Sequence, residues 1–134
     1  MQLPNNATVA VADGQTLGLF RNHGTEGQPA LTALEAPSLD STNAGSGARH
    51  HSSSADPNDS QQNEDGFAAA AATWLNKQVL DGKIEQLVVI AAPRTLGELR
   101  KHYHKQLQAV LVGELHKDLA GRPAAEVAAA IAAA

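Results

Sequence analysis

The chain has 134 residues, 43% of them hydrophobic but only 3% aromatic, and a formal net charge of −4. That length suits one domain whose core is built from Leu, Val, Ile and Ala. The absence of cysteine excludes disulfides and thiolate chemistry. There is no basic, apolar leader and no apolar run near the roughly 20 residues of a membrane span, so a cytoplasmic protein is expected.

Thr8–Ala12 (TVAVA) reads as a first strand and Leu17–Arg21 (LGLFR) as a second. Asp13-Gly14 between them is a strong hairpin signal, because a tight turn of this kind needs positive φ. Ala30–Ala36 (ALTALEA) serves as a third strand, closed by Pro37. Ser38–Asn63 has no hydrophobic periodicity and little to bury, which marks a flexible loop. Its centre holds Arg49, His50 and His51 between small neighbours.

From Glu64 the pattern turns helical. Phe67, Ala71, Trp74, Leu75, Gln78 and Val79 recur at three- and four-residue spacings, and Gly82 offers a stop. Gln86–Ala92 (QLVVIAA) is a continuous apolar run, the pattern of a strand covered on both faces. Thr95 and Glu98 fit a capping box, with Thr95 as N-cap and Glu98 at N3. Leu96, Leu99, Tyr103 and Leu107 form the buried stripe of the helix it starts. Val110–Leu115 (VLVGEL) is a fifth strand, and Pro123 suits the first turn of an Ala-rich last helix.

The order β-β-β-loop-α-β-α-β-α predicts an α/β fold with a five-stranded mixed sheet in the order 3-2-1-4-5. Strand 2 is antiparallel and helices lie on both faces, a ribonuclease-H-like topology. Crossovers of one hand are expected to bury Trp74 and Leu99 on opposite faces. Strands 1, 3, 4 and 5 all finish at one edge, where open α/β sheets bind their ligands.

That edge narrows the chemistry. A two-metal nuclease needs several carboxylates at the strand ends. Asp13 is one candidate, better read as a turn residue, but strand 4 ends in Arg94, a cation. His50 and His51 are adjacent, and His102 and His104 point to different sides of a helix, so no metal site is expected. A Ser-His-Asp triad drawn from the loop would lack a rigid setting. Arg94 and Thr95 instead start a helix whose free N–H groups favour an anion, unless Arg94 pairs with a nearby Asp.

The charge distribution points the same way. Residues 1–92 carry four Lys/Arg and ten Asp/Glu, whereas residues 93–122 carry six and three. Such asymmetry suits an anionic partner for one face. The candidate anion-binding residues are Arg49, His50, Arg94, Thr95, His116 and Lys117.

Four stretches, VAVADGQTLGLFRN, FAAAAATWLN, LVVIAAPRTLGELRK and VLVGELHKDLAGRP, together resemble the bacterial host attachment protein family. That family, often labelled "protein required for attachment to host cells", is similar to the middle domain of archaeal and eukaryotic peptide-chain release factors. The resemblance spans nearly the whole chain and implies the same mixed α/β fold. In true release factors the loop after the third strand carries Gly-Gly-Gln. Here the matching loop reads Gly45-Ser46-Gly47-Ala48-Arg49-His50, a departure from the pattern that peptidyl-tRNA hydrolysis needs. Asp40 and Arg49 only loosely echo the acidic, Asp-Arg-Pro-Gly-Arg-like segment of the attachment relatives. The resulting expectation is a non-enzymatic, release-factor-like binding protein associated with the ribosome or RNA, without cofactor, metal, membrane or DNA. An accessory factor that acts indirectly on host-cell attachment and an orphan phosphodiester hydrolase are the alternatives.

Overall fold

The computed structural model describes residues 1–39 and 59–134. The strands are β1 (Thr8–Ala12), β2 (Leu17–Asn22), β3 (Leu31–Leu34), β4 (Leu87–Ala91) and β5 (Leu111–His116). The helices among the described residues are α1 (Asp59–Leu80), α2 (Pro93–Arg100), α3 (Lys105–Val110) and α4 (Ala124–Ala133). They form an α/β fold around one open sheet, ordered β3-β2-β1-β4-β5. β2 runs antiparallel to β1 and β3, while β1, β4 and β5 are parallel. This is the arrangement expected from the order of elements.

The two central strands carry the apolar runs, and every residue of β1 and β4 is buried. Alternate residues serve two cores. On one face Ala10, Leu19 and Val89 meet Phe67, Ala71 and Leu75 of α1, Leu96 and Leu99 of α2, and Leu107 of α3. On the other, Val9, Val11, Val88, Ile90 and Leu115 are covered by Leu3 and by Val127 and Ile131 of α4.

Trp74 and Leu99 therefore share one face, contrary to expectation, and Trp74 is only half-buried at its rim. The reason is direction. β3→β4 and β4→β5 both step the same way across the sheet, and two steps of one hand and one direction put their helices on one side. Helices still lie on both faces, because α4 takes the other.

Local chemistry explains the shifted boundaries. α1 starts at Asp59, five residues before the apolar stripe reveals it; periodicity sees only the packed part of a helix. Apart from its two ends, the loop expected over Ser38–Asn63 lies outside the described residues. α1 closes on Gly82 at φ 78°, with Lys83 N–H donating to Gln78 O (2.9 Å) and Gly82 N–H to Val79 O (3.0 Å). This paired closure suits the left-handed conformation that Gly adopts without strain.

The β1–β2 link differs from the two-residue turn that Asp13-Gly14 suggested, and Gly14 has no positive φ. Asp13 Oδ1 instead accepts from Gln15 N–H (2.7 Å), Thr16 N–H (2.6 Å) and Thr16 Oγ1 (3.0 Å). Gly14 lets Glu64 approach closely: a Cβ there would lie 2.7 Å from Glu64 Cγ, and the flexible Glu64 side chain would have to swing aside.

The single helix expected from Thr95 through Leu107 is two. Asn76 of α1 clamps the link between them: its Nδ2 donates to His102 O and its Oδ1 accepts from His104 N–H, both at 2.8 Å. His104 Nδ1 then accepts from Gln106 N–H (3.0 Å) and caps α3. Val110 ends α3, so β5 begins one residue later than the sequence suggested.

Candidate functional site

Ala12, Ala91 and His116 lie side by side in register at the carboxyl ends of β1, β4 and β5. Everything that follows these residues emerges together: the Asp13 turn, the start of α2, and Lys117. The first turns of α1 pass close by, with Glu64 beside Gly14 and Asp65 beside Arg94.

The α2 start differs from the expected capping box. Pro93 occupies the first helical turn, Ala92 is the N-cap, and no side chain caps the helix. Thr95 thus lies inside the first turn, half-buried, and Glu98 pairs forward with Lys101 Nζ at 2.6 Å. Pro93 wins this position because its fixed φ suits the first helical residue and it has no N–H to satisfy. The first backbone bond from the interior is Leu96 N–H to Ala92 O (2.9 Å). The Arg94 and Thr95 N–H groups have no acceptor among the described residues.

Arg94 Nη2 lies 3.5 Å from Asp65 Oδ1, with the two side chains 57% and 36% exposed. This is the Asp pairing that stood as the alternative to anion binding. At that distance and exposure it is worth at most about 1 kcal/mol. Lys117 is exposed and has no ion-pair partner among the described residues, and Arg49 and His50 lie outside them.

The basic block of residues 93–122 is largely neutralised in three dimensions. Arg94 faces Asp65, Arg100 Glu114, Lys101 Glu98, and Arg122 Glu126. Lys105 and Lys117 remain without a carboxylate partner among the described residues. The surface field is therefore weaker than the sequence count implies.

One network escaped sequence reasoning. Glu114, only 16% exposed, accepts at Oε1 from Arg100 Nε (3.0 Å) and Nη2 (2.6 Å), and at Oε2 from Tyr103 OH (3.3 Å). Arg100 Nη2 also meets His116 Nε2 at 3.3 Å. The signal was the two-residue spacing of Glu114 and His116, which places both on the α2 face of β5. The network pins the end of α2 to the strand and holds His116 at the edge. Hydrogen bonding to Glu114, then its charge, raises the Arg100 pKa.

Burial, then the Glu114 charge and hydrogen bond, push the Tyr103 phenol well above its ordinary range. An unfolded chain releases that proton near pH 10. The associated stability is thus complete below about pH 10 and declines as pH rises beyond it. Tyr103→Phe is expected to flatten the alkaline loss of melting temperature between about pH 9 and 11. Equal alkaline slopes for the two proteins would mean that the phenol is not held protonated by the fold.

The family model for bacterial archaeo-eukaryotic release factor family 12 matches residues 6–131. The chain belongs to this family. The match takes in all five strands and all but the last residues of α4. It accords with the release-factor-like part of the resemblance and carries no attachment label. No curated protein matches the chain. Among the described residues of this release-factor-like protein, no helix is long and apolar enough to cross a membrane.

Proposed function

We propose that this protein is a non-enzymatic binding member of its release-factor-like family. In this reading it takes a phosphate of RNA where β4 turns into α2, acting in the cytoplasm on or near the ribosome. The observation that supports it is the bare start of α2. Two N–H groups without acceptors among the described residues lie beside an exposed Arg94, and such a helix end attracts an anion. Arg94 can exchange its long contact with Asp65 for two hydrogen bonds to phosphate. His116 ends the neighbouring strand β5 and Lys117 follows it, and Arg49 and His50 belong to the same proposal as contributors from the loop.

Titration with RNA oligonucleotides at low and moderate salt tests this. Binding should weaken with salt, as phosphate contacts do. Arg94→Ala should weaken it by about tenfold or more, as loss of a charged hydrogen-bond donor implies. No binding by the wild type, or equal binding by Arg94→Ala, would overturn the reading. The attachment resemblance then supports the indirect accessory role instead. Hydrolysis is less favoured, because Asp13 already commits Oδ1 to three hydrogen bonds in its turn.

A further inference from the structure

A separate cleft of about 440 Å³ opens between the C-terminal half of α1 and the first three strands, from the amino end of β1 at Thr8 to the end of β3 at Leu34. Thr8, Arg21, Glu35, Trp74, Gln78 and Lys83 line it above an apolar floor. Arg21 Nε is buried and has no hydrogen-bond partner among the described residues. Arg21, Glu35 and Lys83 share the cleft, yet no two of them form an ion pair. A buried guanidinium nitrogen left without an acceptor is costly to the fold, and such groups call for an explanation.

We infer that this cleft binds a mononucleotide. Five of these six lining groups, all but Thr8, have a counterpart in that ligand. Arg21 and Lys83 supply two positive charges for one phosphate, the guanidinium with paired donors. The half-buried indole of Trp74 offers a flat surface for a base, and the Gln78 amide presents a donor and an acceptor to its edge. Glu35 would repel a bare anion, but it accepts well from a ribose hydroxyl. An uncharged apolar ligand would leave the Arg21 and Lys83 charges without a counter-ion, and a free phosphate would leave Trp74 and Glu35 idle. The volume lies in the range of small-molecule sites. The inference is independent of the α2 edge, with which the cleft shares no lining residue.

Trp74 is the only tryptophan, so its fluorescence reports on the cleft directly. The full chain is titrated with AMP, UMP, adenosine and inorganic phosphate at constant ionic strength. A saturable change is expected with AMP or UMP, with adenosine and phosphate each binding about tenfold or more weakly. Lys83 is exposed, so Lys83→Met should keep the wild-type melting temperature while weakening nucleotide binding by about tenfold. Arg21→Met should remove binding altogether, and Lys83→Met decides the matter if that variant does not fold. The inference is overturned if neither nucleotide saturates, if neither exceeds both adenosine and phosphate, or if Lys83→Met binds as the wild type does.

Discussion

Leu99→Ala is expected to destabilise the protein by about 2–5 kcal/mol, the range for truncating a fully buried leucine. Leu99 is 1% exposed and sits on the inner side of α2, in the larger core with Leu75, Leu96 and Leu107. The neighbours come from three helices tied to the sheet, so they cannot simply collapse into the space left behind. Against a typical stability of about 5–15 kcal/mol, such a loss is large. Urea unfolding should show a clearly lowered midpoint, whereas Leu80→Ala, at a residue 56% exposed, should shift it little. A companion cycle tests the arrangement of faces. Leu75→Ala and Leu99→Ala share a core and should be non-additive, while Leu99→Ala and Val127→Ala lie on opposite faces and should add. Additivity in the first pair and coupling in the second would contradict the packing described.

Asn22→Leu should be about as damaging, on the order of 3 kcal/mol or more, although it adds apolar surface. Asn22 is fully buried at the end of β2. Its Nδ2 donates to Leu3 O (3.0 Å) and Pro4 O (3.2 Å), and its Oδ1 accepts from Gly24 N–H (2.8 Å) and Ala30 N–H (2.9 Å). One side chain thus ties the N-terminal segment to the β2–β3 connection. Removing it strands several backbone groups in a buried place, and each carries a desolvation penalty that an isobutyl group cannot relieve. Asn22→Asp keeps the acceptor but points a carboxylate oxygen at two carbonyls, so it should also destabilise. Thermal unfolding of Asn22→Leu within a degree or two of wild type would show that the tie contributes little.

The sheet was legible because its strong signals are local. TVAVA and LVVIA are β-branched, apolar runs that only a doubly covered strand accommodates. The order and direction of strands then followed from connection rules. What escaped depends on relations the sequence hides. Thr95 and Glu98 have the spacing of a capping box, but Pro93 two residues earlier starts the helix first. The break between α2 and α3 is made by Asn76, 28 residues from the His104 amide it accepts. Asp65 and Arg94 are 29 residues apart, and nothing local announces their meeting. The placement of α1 and α2 on one face was derivable, since it needs only the direction of each crossover.

The candidate edge was legible in part. Strand ends place Arg94, Thr95, His116 and Lys117 together, as topology alone requires. The Arg100–Glu114–Tyr103 network was hidden because Glu114 looks like an ordinary solvated position of an edge strand until α2 lies over it. The uncapped start of α2 was hidden by the false capping box, yet it is the feature that most favours an anion there.

The most direct test reads that feature by itself. Amide chemical shifts of the full chain are followed by NMR during titration with a short single-stranded RNA. The Arg94 and Thr95 amides should move together and saturate, with His116 and Lys117 following, and added salt should reverse the change. If RNA leaves the Arg94 and Thr95 amides unmoved while other signals shift, the phosphate is not held at the start of α2.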